Sequence, residues 1–108
     1  MITVEAYQKQ LEATFNRIET ALEKVDADVL ECERSSGGLT LVIQQKMRSI
    51  LSAQPSLQEL WLAMASEGRA YHFRLTEEGT WLDTKQDLEL LGLLKEYFQK
   101  KLNLSLEF

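Results

Sequence analysis

The stretch DVLECERSSGGLTLVIQ, residues 28–44, decides how the rest of the chain is read. Leu30 and Cys32 alternate with Glu31 and Glu33. Beyond the Ser35-Ser36-Gly37-Gly38 turn, Leu39, Leu41 and Ile43 alternate with Thr40, Val42 and Gln44. A period of two on both sides of a glycine-containing turn predicts a β-hairpin with one buried face and one face toward water.

Upstream the period is that of a helix. Val4, Tyr7, Leu11, Phe15, Ile18, Leu22 and Val25 recur at spacings of three and four over residues 3–25, with Thr3 placed to cap the first turn. Downstream, strands are expected at 46–52, at 59–64 with Leu60 and Leu62 inward, and at 70–75 with Tyr71, Phe73 and Leu75 inward. Pro55 ends the first of these, and a Glu77-Glu78-Gly79 turn leads into a short strand around Trp81, whose ring would cap the core. Asp87, or alternatively Thr84, opens a second amphipathic helix with Leu90, Leu91, Leu94, Tyr97, Phe98 and Leu102 on its apolar face. The tail alternates again at Leu104, Leu106 and Phe108. Helix, a run of antiparallel strands, then helix predicts an α+β two-layer sandwich. An antiparallel sheet of about six strands would carry the N- and C-terminal helices on one face and leave the other open.

One hundred and eight residues make one ordinary domain (1–108), and 44% apolar with 27% charged residues is the composition of a soluble globular protein. There is no apolar run of membrane-spanning length and no basic-then-apolar leader. The chain starts at Met1 and runs straight into the first helix, so a bacterial cytosolic protein is expected, with a processed mitochondrial form as the alternative. Cys32 is the only cysteine, which excludes an internal disulfide and fits a reducing compartment. An isoelectric point near 4.9 argues against nucleic acid and against an anionic membrane as partner.

The charge is unevenly placed. Residues 19–33 hold six acids (Glu19, Glu23, Asp26, Asp28, Glu31 and Glu33) and one base, Lys24, while the other 93 residues are neutral in sum. On a helix, Glu19, Glu23 and Asp26 fall within an arc of about 60°, in the same stripe as Glu5 and Glu12. This stripe flanks the apolar face, and Glu31 and Glu33 would extend it if the first strand lies beside the helix. Two carboxylates about 6 Å apart repel by about 0.7 kcal/mol even in water, and a bound cation or basic partner relieves that strain. Oxygen-only ligands on a convex surface suit hard or borderline cations such as Fe²⁺, Fe³⁺, Mn²⁺ or Ca²⁺, weakly held and with water completing the shell. The plainer alternative is that the stripe is only the solvated face of the helix.

If Leu60 and Leu62 face the helices, Trp61 turns outward with Glu59 and Ala63, and His72 and Arg74 turn outward on the next strand. An indole on an open sheet surface is either a partner contact or packs on its outward neighbours, such as Val42 and the Arg74 stem. No nucleophile–base pair, phosphate loop, CxxC or HExxH is present. His72 reads as a surface contact rather than a general base, and Cys32 as a core residue rather than a nucleophile.

Taken together these pieces resemble the frataxin family. The resemblance runs over nearly the whole chain: an acidic first helix leading to LECE at 30–33, GGLTL at 37–41, and Gln54 seven residues before Trp61-Leu62-Ala63. YHF at 71–73, Trp81, the Leu93-Leu94 pair and the LNLSLEF tail complete it. The chain departs from the family pattern at Ser52-Ala53, at Glu59 where glutamine is usual, and at Lys24 and Val29 where acids are common. The resemblance implies a small, monomeric, non-enzymatic protein of iron–sulfur cluster assembly that binds iron (Fe²⁺/Fe³⁺) weakly at its surface. It would dock on a cysteine desulfurase and an iron–sulfur scaffold. It implies Glu19, Glu23, Asp26, Asp28, Glu31 and Glu33 as the metal-binding and docking ridge. Trp61 would be the sheet-surface contact, with Gln54, Glu59, His72 and Arg74 around it. A weak ferroxidase activity would need a buried ligand set, which this sequence lacks. The alternative is an acidic protein-interaction module without a metal role.

Overall fold

The structure, a computed structural model, describes residues 2–108. It begins where the sequence places a helix. Helix α1 spans Val4–Leu22, and the Thr3 side chain accepts a hydrogen bond from the Ala6 amide at its N-terminus. Tyr7, Leu11, Phe15, Ile18 and Leu22 are buried, as the 3.6-residue period requires, together with Thr14. Val4, expected in that stripe, is 66% exposed, while Ile2 before it packs against the core. The helix ends at Leu22 rather than at residue 25, and Val25 still packs against the core from the following turn.

Strands β1 (Leu30–Ser35), β2 (Gly38–Ile43), β3 (Met47–Gln54), β4 (Glu59–Met64), β5 (Arg69–Leu75) and β6 (Trp81–Asp83) form one antiparallel meander in chain order. The predicted hairpin turn sits at Ser36-Gly37, with Gly37 at φ +73°. The β2–β3 connection differs from expectation. Gln44 and Gln45, the first of which was assigned to the strand alternation, both adopt positive φ, at 52° and 63°. They are held there because the Gln44 amide donates to the Val29 carbonyl (2.9 Å) and Gln45 Nε2 donates to Asp28 Oδ1 (2.8 Å). Short 3₁₀ turns, Pro55–Leu57 and Ala65–Glu67, close the next two hairpins.

Helix α2 spans Leu90–Leu102, and neither Asp87 nor Thr84 caps it. Residues 88 and 89 are held extended, because the Leu88 carbonyl accepts from the Asp83 amide (2.8 Å) and Glu89 bridges Leu82 of β6. The helix starts only after those contacts are made. The Glu89 carboxylate then caps it, accepting from the Leu91 and Gly92 amides. Leu90, Leu94 and Phe98 are buried, and the tail returns to seat Leu106 in the core while the Phe108 carbonyl accepts from Arg17 (3.0 Å).

Among the hydrogen bonds that fasten α1 to the sheet, two sets are buried or partly buried. Trp81 Nε1 donates to Thr14 Oγ1 (2.8 Å), which itself donates to the Gln10 carbonyl (2.8 Å). The Tyr7 hydroxyl donates to the Glu59 carbonyl (2.7 Å) and accepts from the Gln54 amide (3.2 Å). Both rings are nearly sealed and meet edge to face at 5.8 Å. Ser49 Oγ is the contrasting case. It is fully buried, its residue paired between Leu41 and Met64, and has no hydrogen-bond partner among the described residues.

These two hydroxyls lead to opposite expectations. Thr14→Val keeps the shape but orphans the buried Trp81 N–H, and should cost about 1–3 kcal/mol in urea unfolding. Ser49→Ala removes a polar group that nothing satisfies, and should leave stability unchanged or raise it by about 1 kcal/mol in the same measurement. A clear loss for Ser49→Ala would mean that the hydroxyl finds a partner in solution.

Candidate functional site: an acidic rim and an open sheet face

Strand parity sets the composition of the open face. Because Leu60, Leu62, Tyr71 and Phe73 are buried under the helices, their neighbours project to the other side. The register then aligns the outward residues in rows. One row is Gly38, Ser52, Trp61 and His72, and the next is Gln54, Glu59, Arg74 and Leu82. On the far side of the Trp61 row lie Glu33, Thr40, Ile50, Ala63 and Ala70. All five residues assigned to the sheet surface therefore come together on it.

Trp61 is half-buried. Its ring stacks on His72 with centroids 4.0 Å apart and planes 9° from parallel, and its Nε1 donates to Glu59 Oε1 (2.8 Å). The indole is thus held upright between two strands. Its packing partner is His72, whereas Val42 lies away from it, in register with Glu31 and Arg48, and is buried although it belongs to this face. Ile50 is 42% exposed and extends the apolar part of the surface toward β1. Sequence reading passed over Ile50, although its alternation with Ser49 and Leu51 marks it as outward.

The six acids do not lie on one plane. Glu19 and Glu23 belong to α1 and its C-terminal cap, and Asp26 and Asp28 to the turn that follows. Glu31 and Glu33 pair with Val42 and Thr40 on the opposite, open face. Since β1 is the edge strand, the acids that border it, here termed the rim, are divided between the helix layer and the open face. Asp26 Oδ1 accepts from the Asp28 amide (3.0 Å), and Glu33 has only a long, exposed contact to Arg48 (3.9 Å). Glu23 and Glu31 have no ion pair among the described residues. Across the sheet, Trp61 lies three strands from β1, about 14 Å at the usual strand spacing.

Arg34, one residue past the acidic window, changes this picture. Leu30, Cys32 and Arg34 share the parity that faces α1, and the guanidinium of Arg34 pairs with both Glu12 and Glu19. The signal was available, since a base at an inward position of an edge strand must meet the helix beside it. Among the described residues no three His, Cys, Asp or Glu side chains are grouped so that they could hold one metal ion. Cys32 is half-buried, and burial, then Glu19 and Glu31, push its thiol above the ordinary range while Arg34 pulls the other way. That environment disfavours the thiolate a nucleophile requires.

Comparison with known proteins bears on the family and the fold. Residues 1–104 match the frataxin-like domain family. The iron-sulfur cluster assembly protein CyaY of Paraburkholderia phymatum is 41% identical over 91 residues, 84% of this chain and 83% of its own length. The protein of the same name from a Janthinobacterium species is 38% identical over 106 residues, 93% of this chain and 90% of its own. In fold, frataxin from Psychromonas ingrahamii superposes with a TM-score of 0.84 at 21% identity, over 97% of this chain and 96% of that one. Yeast frataxin gives 0.76 at 22% identity, over 94% and 85%. With its helix–meander–helix order, its sheet register and a family match over nearly its whole length, the chain belongs to the frataxin family.

Proposed function

We propose that this chain is a non-catalytic regulator of iron–sulfur cluster assembly that docks on a cysteine desulfurase and its scaffold and carries iron loosely as cargo. A role in iron–sulfur cluster assembly or iron handling follows from the family. The two CyaY proteins named above are bacterial, which supports the bacterial cytoplasm as the place of that role. The finer reading is carried by one observation, the crowding of carboxylates around the β1 edge of a surface that is otherwise neutral in sum.

A net-negative rim next to a low-dielectric sheet steers a basic protein surface toward it and orients the encounter. Contact through Glu23, Asp26 and Glu31 replaces carboxylate–carboxylate repulsion with attraction, so binding should fall steeply with salt. Trp61 lies about 14 Å away, in a different chemical setting: a half-exposed indole braced by His72 and Glu59, beside exposed Ile50. Braced aromatic groups with nearby apolar area suit a binding anchor, because little side-chain freedom remains to be lost. The rim would dock the desulfurase and the indole would meet the scaffold, two contacts on neighbouring surfaces of one small protein.

Exposed oxygen donors on a convex edge suit hard or borderline cations that exchange quickly, with water filling most of the coordination shell. The lack of a three-ligand group among the described residues accords with cargo rather than a resident cofactor. It equally favours a second reading, an acidic interaction module without a metal role. Anaerobic titration with Fe²⁺ separates the two. Amide shifts centred on residues 23–33, with a higher melting temperature, support cargo iron, and no response supports the pure adaptor.

Two variants test the docking surfaces. Glu23→Lys, Asp26→Lys and Glu31→Lys combined should weaken desulfurase binding by about tenfold or more in calorimetry, with the fold intact by circular dichroism. Unchanged affinity would remove the rim from the interface. Trp61→Arg should weaken scaffold binding by roughly tenfold or more while costing about 1 kcal/mol of stability, because the indole is only half-buried. A collapse of the fold would show that the ring is structural.

A further inference from the structure

Arg34 makes more contacts than an ordinary surface base. Its Nη1 donates to Glu19 Oε1 and to Asn16 Oδ1 (3.2 Å), and its Nη2 donates to Glu12 Oε2. The guanidinium carbon lies 5.1 Å from the centre of the Phe15 ring. One planar fork therefore joins two carboxylates and an amide of α1 while its body covers an aromatic ring of the same helix.

We infer that Arg34 is a built-in counter-ion that withdraws the Glu12–Glu19 part of the acidic surface from cations and confines them to the carboxylates between Glu23 and Glu33. This rests on the reading that the rim receives a hard cation. The physical basis is competition. An isolated exposed ion pair would yield to a ligand at little cost. Arg34 is tethered to the neighbouring strand and held by several partners at once, so a free cation has to displace a group of high effective concentration. Guanidinium stays charged at every physiological pH, so the block is permanent. Beyond it, Glu23, Asp26 and Glu31 keep their charge uncompensated by any ion pair among the described residues. Arg34 thus sets the footprint of the rim, and the acid count of the first helix overstates its capacity.

The test uses La³⁺ alone, a diamagnetic hard cation, followed through the side-chain carboxyl ¹³C signals of the whole protein. In the wild type, Glu23, Asp26 and Glu31 should shift while Glu12 and Glu19 stay in place. Arg34→Met keeps an unbranched apolar stem over Phe15 and removes the charge. In it Glu12 and Glu19 should join the response, with apparent affinity roughly two- to tenfold tighter. Arg34→Lys, which keeps the charge, should stay near the wild-type pattern, and Arg34→Gln serves if the methionine variant does not fold. If Glu12 and Glu19 already shift in the wild type, or if Arg34→Met responds as the wild type does, the inference is overturned and the rim reading stands. If no carboxyl shifts in any of these proteins, the rim reading itself fails and takes the inference with it.

Discussion

Pressing the apolar stripe of α1 onto one face of a twisted antiparallel sheet is the constraint from which the other features follow. Once Tyr7, Leu11, Phe15, Ile18 and Leu22 are buried there, each strand has to present its apolar parity to them, and the opposite parity is committed to water. A slip of one residue in β4 would bury Trp61 and expose Leu60 and Leu62. The Trp81–Thr14 and Tyr7–Glu59 hydrogen bonds add direction to this contact, since apolar burial alone would tolerate sliding of the helix along the sheet.

The same constraint arranges the open face and the acidic edge. Trp61 and His72 stack because they are register partners on adjacent strands with their outward parity in common. Glu31 and Glu33 join the acids of α1 only around an edge, because β1 is the outermost strand and its two faces belong to different layers. The rim is therefore bent, with one side on the helix layer and one on the open sheet. Among the described residues no three of its carboxylates converge on one point.

Electrostatic compensation is less visible than periodicity because it joins residues distant in sequence. Counting charges in a window showed residues 19–33 as strongly acidic, and the count was correct. Arg34, just outside that window, still reaches across to Glu12 and Glu19, 22 and 15 positions away. Among the described residues Glu33 has only the distant Arg48 and Asp28 has Gln45, whereas Glu23 and Glu31 have no ion pair. Which acids remain free is a property of the β1–α1 contact and of the β2–β3 turn.

Alternation in residues 28–44, 59–64 and 70–75 and the helical period of residues 3–25 were enough to give the two layers and the outward display of Trp61, His72 and Arg74. Those patterns are local, and burying apolar area allows each only one orientation. The start of α2, the left-handed pair Gln44 and Gln45, the seat of Val42 and the capture of Glu12 and Glu19 by Arg34 were decided by tertiary contact. In each of these a hydrogen bond, ion pair or cross-strand packing contact links separate elements, and it outweighs what the residues would do within their own segment. The acidity of this protein is written in its sequence, but which of its acids are paired depends on where the edge strand places one arginine.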